Sequence, residues 1–147
     1  MLKRSMIVLV LSMLCINKAH AAEFINLNPK PEHDSRELQI QDMLVLQLLP
    51  NMHDKLADVY KDVLTVNPEI YPYLVDVIKT DRVNGFRGFD LRITLQAVPT
   101  VGPHIPVGED RFTYQISPVA HVKLLQLEHL KGPNKEDFPP NYQDLLR

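Results

Sequence analysis

At Tyr73 the spacing of apolar residues changes from about 3.6 to 2, and no other feature constrains the fold of this chain as strongly. Ahead of that point, Leu38, Met43, Leu44, Leu46, Leu48 and Leu49 make a broad apolar surface. Met52, Leu56, Val59, Tyr60 and Val63 then recur at three- and four-residue steps, with Asp54, Lys55, Asp58, Lys61 and Asp62 on the other side. That is an amphipathic helix covering a core. Asp34 sits three residues before Glu37, the spacing of a capping box with Asp as the cap. Pro50 removes a hydrogen bond and crowds the preceding turn, which predicts a kinked helix or a helix pair. Asn67-Pro68 ends the pattern.

Beyond Tyr73 the chain reads as strands. Asn84-Gly85 lies between two β-rich runs, where a two-residue type I′ hairpin turn would sit. In the second run Phe89, Leu91, Ile93, Leu95 and Ala97 alternate with Asp90, Arg92, Thr94 and Gln96, so one face is dry and the other wet. A two-residue turn sets Ile78 opposite Leu91, Leu74 opposite Leu95 and Lys79 opposite Asp90, which places Asp76 on the dry face. A one-residue bulge turns Val75 and Val77 inward instead and releases Asp76 to solvent; parity alone does not choose. Pro99, Gly102, Pro103, Pro106 and Gly108 mark a stiff connection, after which Phe112, Tyr114 and Ile116 alternate with Arg111, Thr113 and Gln115. Pro118 opens a further turn, and a fourth strand from His121 to Lys131 loses its alternation at Leu124-Leu125, which predicts a bulge. The expected fold class is α+β: the N-terminal kinked helix or helix pair packed on a four-stranded antiparallel meander, cystatin-like or nuclear-transport-factor-like in general shape.

The start of the chain sets its expected destination. Lys3 and Arg4 precede an eleven-residue apolar run from Met6 to Ile16, followed by Ala19-His20-Ala21. This is the layout of a secretory signal peptide over residues 1–21, with cleavage after Ala21 and a secreted, extracellular product. The run is too short for a span of about 20 residues, and no later run approaches that length, so no permanent membrane anchor is expected. Cys15 raises a lipoprotein alternative, against which stands Leu14 where a small residue is normal. Cleavage removes three of the 16 basic residues and none of the 18 acidic ones, leaving a net charge of −5 that disfavours nucleic acid. Cys15, the single cysteine, leaves with the leader, which excludes disulfides, cysteine nucleophiles and thiolate zinc sites. Residues 22–33 read as an extended leader with Pro29 and Pro31, residues 34–131 as a single α+β domain, and residues 132–147 as a C-terminal tail. In that tail Tyr142, Leu145 and Leu146 have the spacing to dock one short turn.

Several short motifs converge on a known family. Asp34-Ser35 with Gln41-Asp42, Leu48-Leu49-Pro50, Tyr71-Pro72-Tyr73, Val75-Asp76-Val77 and Asn84-Gly85-Phe86-Arg87 belong to the set. Gly102-Pro103-His104, Val107-Gly108 with Asp110, and Glu128-His129-Leu130-Lys131 complete it. Together, from about Asp34 to Lys131, they resemble the domain of unknown function 3888 family of small exported proteins from spore-forming bacilli and their relatives. Ser117-Pro118-Val119-Ala120 departs from the glycine-containing turn expected there. The resemblance implies an exported protein of a Gram-positive bacterium and the extent of the domain; it implies no mechanism.

The candidate chemistry is sparse. Ser35, beside a helix cap, and Ser117, before a proline, are poor nucleophiles. Asp54, Asp58 and Asp62 are interleaved with Lys55 and Lys61 and read as a solvated helix face. The loop from Gly102 to Asp110 fixes a backbone path that presents His104, Glu109 and Asp110; the plainer account is a turn joining two strands. His104, His121 and His129 lack metal-ligand spacing, and neither a metal nor a cofactor is expected. Lys79, Arg82, Arg87 and Arg92 surround the first hairpin and suit anionic wall polymers, or simply protect an exposed edge. In the unbulged register Asp76 is a carboxylate in an apolar concavity, placed for proton transfer or ligand anchoring. The expected function is a small secreted, non-catalytic binding or interaction module. It would engage a protein or cell-wall polymer through its sheet face, its proline-rich loop, or both. The rival is a small-ligand-binding or enzymatic pocket protein of nuclear-transport-factor type, centred on Asp76 with His104 or Tyr114 at the mouth. A third alternative is a protease inhibitor that wedges the loop into a cleft.

Overall fold

The computed structural model describes residues 33–147; the expected signal peptide, residues 1–21, and all but the last residue of the expected leader lie outside the described residues. Helix α1, Arg36–Tyr60, is continuous through Pro50, so there is one helix and not a pair. Pro50 and Leu46, whose carbonyl loses its partner, are both exposed, which leaves that oxygen to water. The cap falls one residue later than the capping box predicts. Ser35 has an extended backbone and its Oγ accepts from Leu38 N at 3.1 Å. Asp34 accepts from Gln39 Nε2 at 3.0 Å instead. Val45, Leu48, Met52, Leu56 and Tyr60, at steps of three and four, are all buried. Each such side chain contributes about 2 kcal/mol on burial.

Strands β1 (Val75–Arg82), β2 (Leu91–Ala97), β5 (Glu109–Ser117) and β6 (His121–Lys131) form an antiparallel sheet in the order β1-β2-β5-β6. A short hairpin of β3 (Thr100–Val101) and β4 (Ile105–Pro106) separates its two halves. The helix on this meander is the α+β arrangement the periodicity predicts. Its inner face carries Ile93, Leu95, Ala97, Phe112 and Tyr114, all buried with the helix stripe.

The two registers left open by parity are now distinguished. Val75 lies opposite Ala97 and Val77 opposite Leu95, with a shift before Lys79 that leaves Ile78 as the bulged residue. Asp76 therefore pairs with Gln96 on the outer face and is exposed. The connection from β1 to β2 is a loop over Val83–Asp90 rather than a two-residue turn. A type I′ turn needs positive φ at both central residues; here Gly85 (+74°) and Arg87 (+57°) are left-handed and Asn84 is not. As a result Phe89, expected on the dry face of the strand, is exposed. The second bulge falls where expected: Thr113 pairs with Gln126 and Tyr114 with Leu124, so Leu125 is extra.

Residues 132–147 are docked rather than loose. Phe138 is buried in the core, Leu64 bridges Leu146, and Arg147 Nε donates to the Leu64 carbonyl at 2.7 Å. No helix among the described residues is long and apolar enough to cross a membrane.

Candidate binding surface and buried polar cluster

The proline-rich loop is a rigid projection. Its base is fixed by two hydrogen bonds exchanged between Glu69 and Thr100, both 2.8 Å, and by Val107 N to the Pro99 carbonyl at 2.9 Å. Val101, Ile105 and Val107 are buried beneath it, and the Tyr142 ring lies against Gly102. At the tip Gly102 has φ +52° and His104 φ +66°. For a non-glycine residue that conformation costs about 1 kcal/mol or more, and the surrounding contacts hold it there. The His104 ring is 4.5 Å from that of Tyr71, and Tyr73 Oη lies 3.2 Å from His104 Nδ1. Tyr71 and Tyr73, on either side of Pro72 in a short 3₁₀ turn, stack at 5.5 Å and 22°. Three rings from two distant segments thus form one patch, with Tyr73 54% exposed.

Glu109 and Asp110, neighbours in sequence, point to opposite faces of β5. Glu109 accepts from Gln96 Nε2 at 3.4 Å, on the same side as Arg111, which donates to Gln96 Oε1 at 3.0 Å. Asp110 has 0% exposure and faces the helix. Tyr60 Oη donates to its Oδ2 at 2.7 Å, and His129 Nδ1 lies 2.8 Å from its Oδ1. The Tyr60 and His129 rings meet edge to face at 5.2 Å. Burial lifts the Asp110 carboxyl above its ordinary 3.8, with the His129 and Tyr60 hydrogen bonds pulling the other way. Burial, the Asp110 hydrogen bond and its charge raise the Tyr60 hydroxyl, which stays protonated. Gly108 makes room for this cluster, because a Cβ there would overlap both Tyr60 Oη and the Lys131 carbonyl.

An imidazole oriented by a carboxylate is half of a general-base arrangement. The described serines are Ser35, which caps the helix, and Ser117, at the far end of β5, where its Oγ holds Ala120 N at 2.9 Å. No group of three or more metal-ligating side chains occurs among the described residues. The cluster's clear effect is mechanical: one carboxylate ties the helix end to β5 and β6.

The other candidates lie elsewhere. Asp76 is on the outer face, and the inner side is filled by the helix, so the pocket centred on Asp76 does not form. Tyr114, its proposed companion, is a core residue whose hydroxyl donates to Asn51 Oδ1 at 2.9 Å and is raised by burial. Arg82 and Arg87 sit at the first hairpin tip, where Arg82 Nη1 donates to the Gly88 carbonyl at 2.6 Å. The structure sorts the six predicted residues among the loop tip, the outer face, the buried cluster and the hairpin tip. Tyr60, Tyr71, Tyr73 and His129 emerge as their partners.

A family model described as a protein of unknown function, DUF3888, matches residues 40–131, more than half of the chain. The chain belongs to the DUF3888 family. No curated protein and no solved structure matches it. The DUF3888 match runs from the first turns of α1 to the end of β6, and so contains all three rings of the loop patch and all three members of the buried cluster.

Proposed function

We propose that this DUF3888 protein is an exported binding module without catalytic activity. Its partner, a cell-wall polymer or a cell-surface protein, docks on the aromatic tip of Tyr71, Tyr73 and His104. The observation that carries this reading is the assembly of those rings on an anchored loop, with the His104 backbone held left-handed at φ +66°. Strained non-glycine backbone held by its surroundings is characteristic of ligand-contacting segments. Exposed ring faces accept sugar or proline rings by stacking, and a preformed patch loses little entropy on binding.

The test is retention of purified protein on isolated cell-wall sacculi and on proline-rich cell-surface peptides. Tyr73→Ala with His104→Ala is expected to weaken binding about tenfold at an unchanged melting temperature, at roughly 0.5–1.5 kcal/mol per ring contact. Equal retention of the variant would sink the loop as the binding surface. Export has its own check: mass spectrometry of culture fluid should find a chain beginning at Ala22. Recovery only of intact leader inside cells would refute it.

A further inference from the structure

The opposite end of the sheet carries a second exposed feature. Leu91 pairs with Ile116 and Ser117 with His121, so the loop over Val83–Asp90 and the turn over Pro118–Ala120 project from the same end of adjacent strands, about 5 Å apart at their roots. Together they hold Phe86 at 95% exposure, Val119 at 91% and Phe89 at 67%, with Val83 also exposed. Residues 79–92 add Lys79, Arg82, Arg87 and Arg92 against Asp81 and Asp90. Both acids are engaged: Asp81 with Lys79 at 2.8 Å, and Asp90 with Gln115 Nε2 at 2.8 and 2.9 Å. No carboxylate among the described residues forms an ion pair with Arg82 or Arg87.

We infer that this double tip is a peripheral docking site for an anionic lipid surface, with Phe86, Phe89 and Val119 entering the interface and Arg82 and Arg87 meeting the lipid phosphates. The patch is convex, formed by two protruding turns, whereas a peptide partner wants a groove. A hydrated polyanion satisfies the arginines and leaves the phenylalanines in water. A lipid interface satisfies both, because affinity there adds buried apolar area to attraction for anionic headgroups. Reversible docking of this kind needs no membrane-crossing segment.

Co-sedimentation with vesicles of equal parts phosphatidylglycerol and phosphatidylcholine, against phosphatidylcholine alone, tests it. Binding is expected to the anionic vesicles only and to weaken with salt. Phe86→Ser should cost about tenfold or more, from the transfer energy of a Phe side chain. Arg82→Ala and Arg87→Ala should cost about fivefold each. The chain has no tryptophan, so Phe86→Trp supplies a unique fluorophore whose emission should shift to the blue on anionic vesicles. The loop variant Tyr73→Ala/His104→Ala should bind vesicles like the wild type, which separates this site from the one proposed above. Three results would overturn the inference: no sedimentation with anionic vesicles, equal binding of the Phe86→Ser protein, or binding to teichoic polymer alone that Phe86→Ser leaves intact.

Discussion

The two ends of the sheet invert the usual placement of polar and apolar groups. At one end Asp110 is fully buried and held by Tyr60 and His129; at the other Phe86 is 95% exposed. The first end is over-determined. Helix, two strands and the Gly108 backbone meet there, and the proline-rich loop and C-terminal segment are anchored close by. The second end is two turns held by their own hydrogen bonds, and its largest side chains touch water. The difference separates a part of the molecule that makes the fold from parts free to meet something else. The buried carboxylate finds its partners inside the chain.

The contrast breaks first at Gly108, where the effect should be largest. Gly108→Ala places a methyl group into the Tyr60 hydroxyl and the Lys131 carbonyl, and backbone cannot rotate away as a side-chain end can. A loss of about 3 kcal/mol is expected in chemical denaturation, at the upper end of overpacking costs. A loss under 1 kcal/mol would mean that this end is looser than its contacts imply. Asp110→Ala comes next, at about 2 kcal/mol, because it strands the buried Tyr60 hydroxyl without an acceptor. The pH dependence sharpens the point. Burial raises the folded pKa of Asp110, so protonation favours the folded state; that contribution is complete below 3.8 and is lost as pH rises through the raised value. On a His129→Gln background, the stability of the Asp110 protein relative to Asp110→Asn should therefore fall as pH rises above 3.8. A relative stability that climbs over that range would show that hydrogen bonding, not desolvation, dominates the carboxyl.

Much of the sheet was legible because β2 and most of β5 alternate apolar with polar residues, and the Leu125 bulge announced itself by breaking the alternation of β6. The Ile78 bulge did not. Val75, Val77 and Ile78 offer apolar residues at both parities, so the pattern fits two registers and only the sheet as a whole selects one. The first hairpin misled for a local reason. Asn84-Gly85 fits a tight turn, yet the second left-handed position went to Arg87, which no propensity favours. The turn after β5 repeats this habit: Ser117–Ala120 lacks the glycine expected there, and the left-handed position falls on the next residue, His121, at φ +53°. His104 was visible in its proline and glycine frame, but nothing local joins it to Tyr73, 31 residues away, or to Tyr71 beside it. Asp110 shares its parity with Phe112 and Tyr114, which already points it inward. Its partners Tyr60 and His129, 50 and 19 residues distant, are a product of packing that no local pattern encodes.

The smallest effect is the most discriminating for the comparison. Phe86→Ser combined with Val119→Ser removes two large apolar side chains and should change stability by no more than about 0.5 kcal/mol, as surface substitutions do. The denaturant slope should be unaltered, since neither side chain buries area on folding. The same two changes made at Phe112 and Leu95 would remove core volume and cost several kcal/mol. If the tip variant instead lost more than 1 kcal/mol, its side chains would be packing within the protein, and the two ends would differ in degree rather than in kind. If it held its stability and lost vesicle binding, the exposed phenylalanine would have a use that folding does not supply.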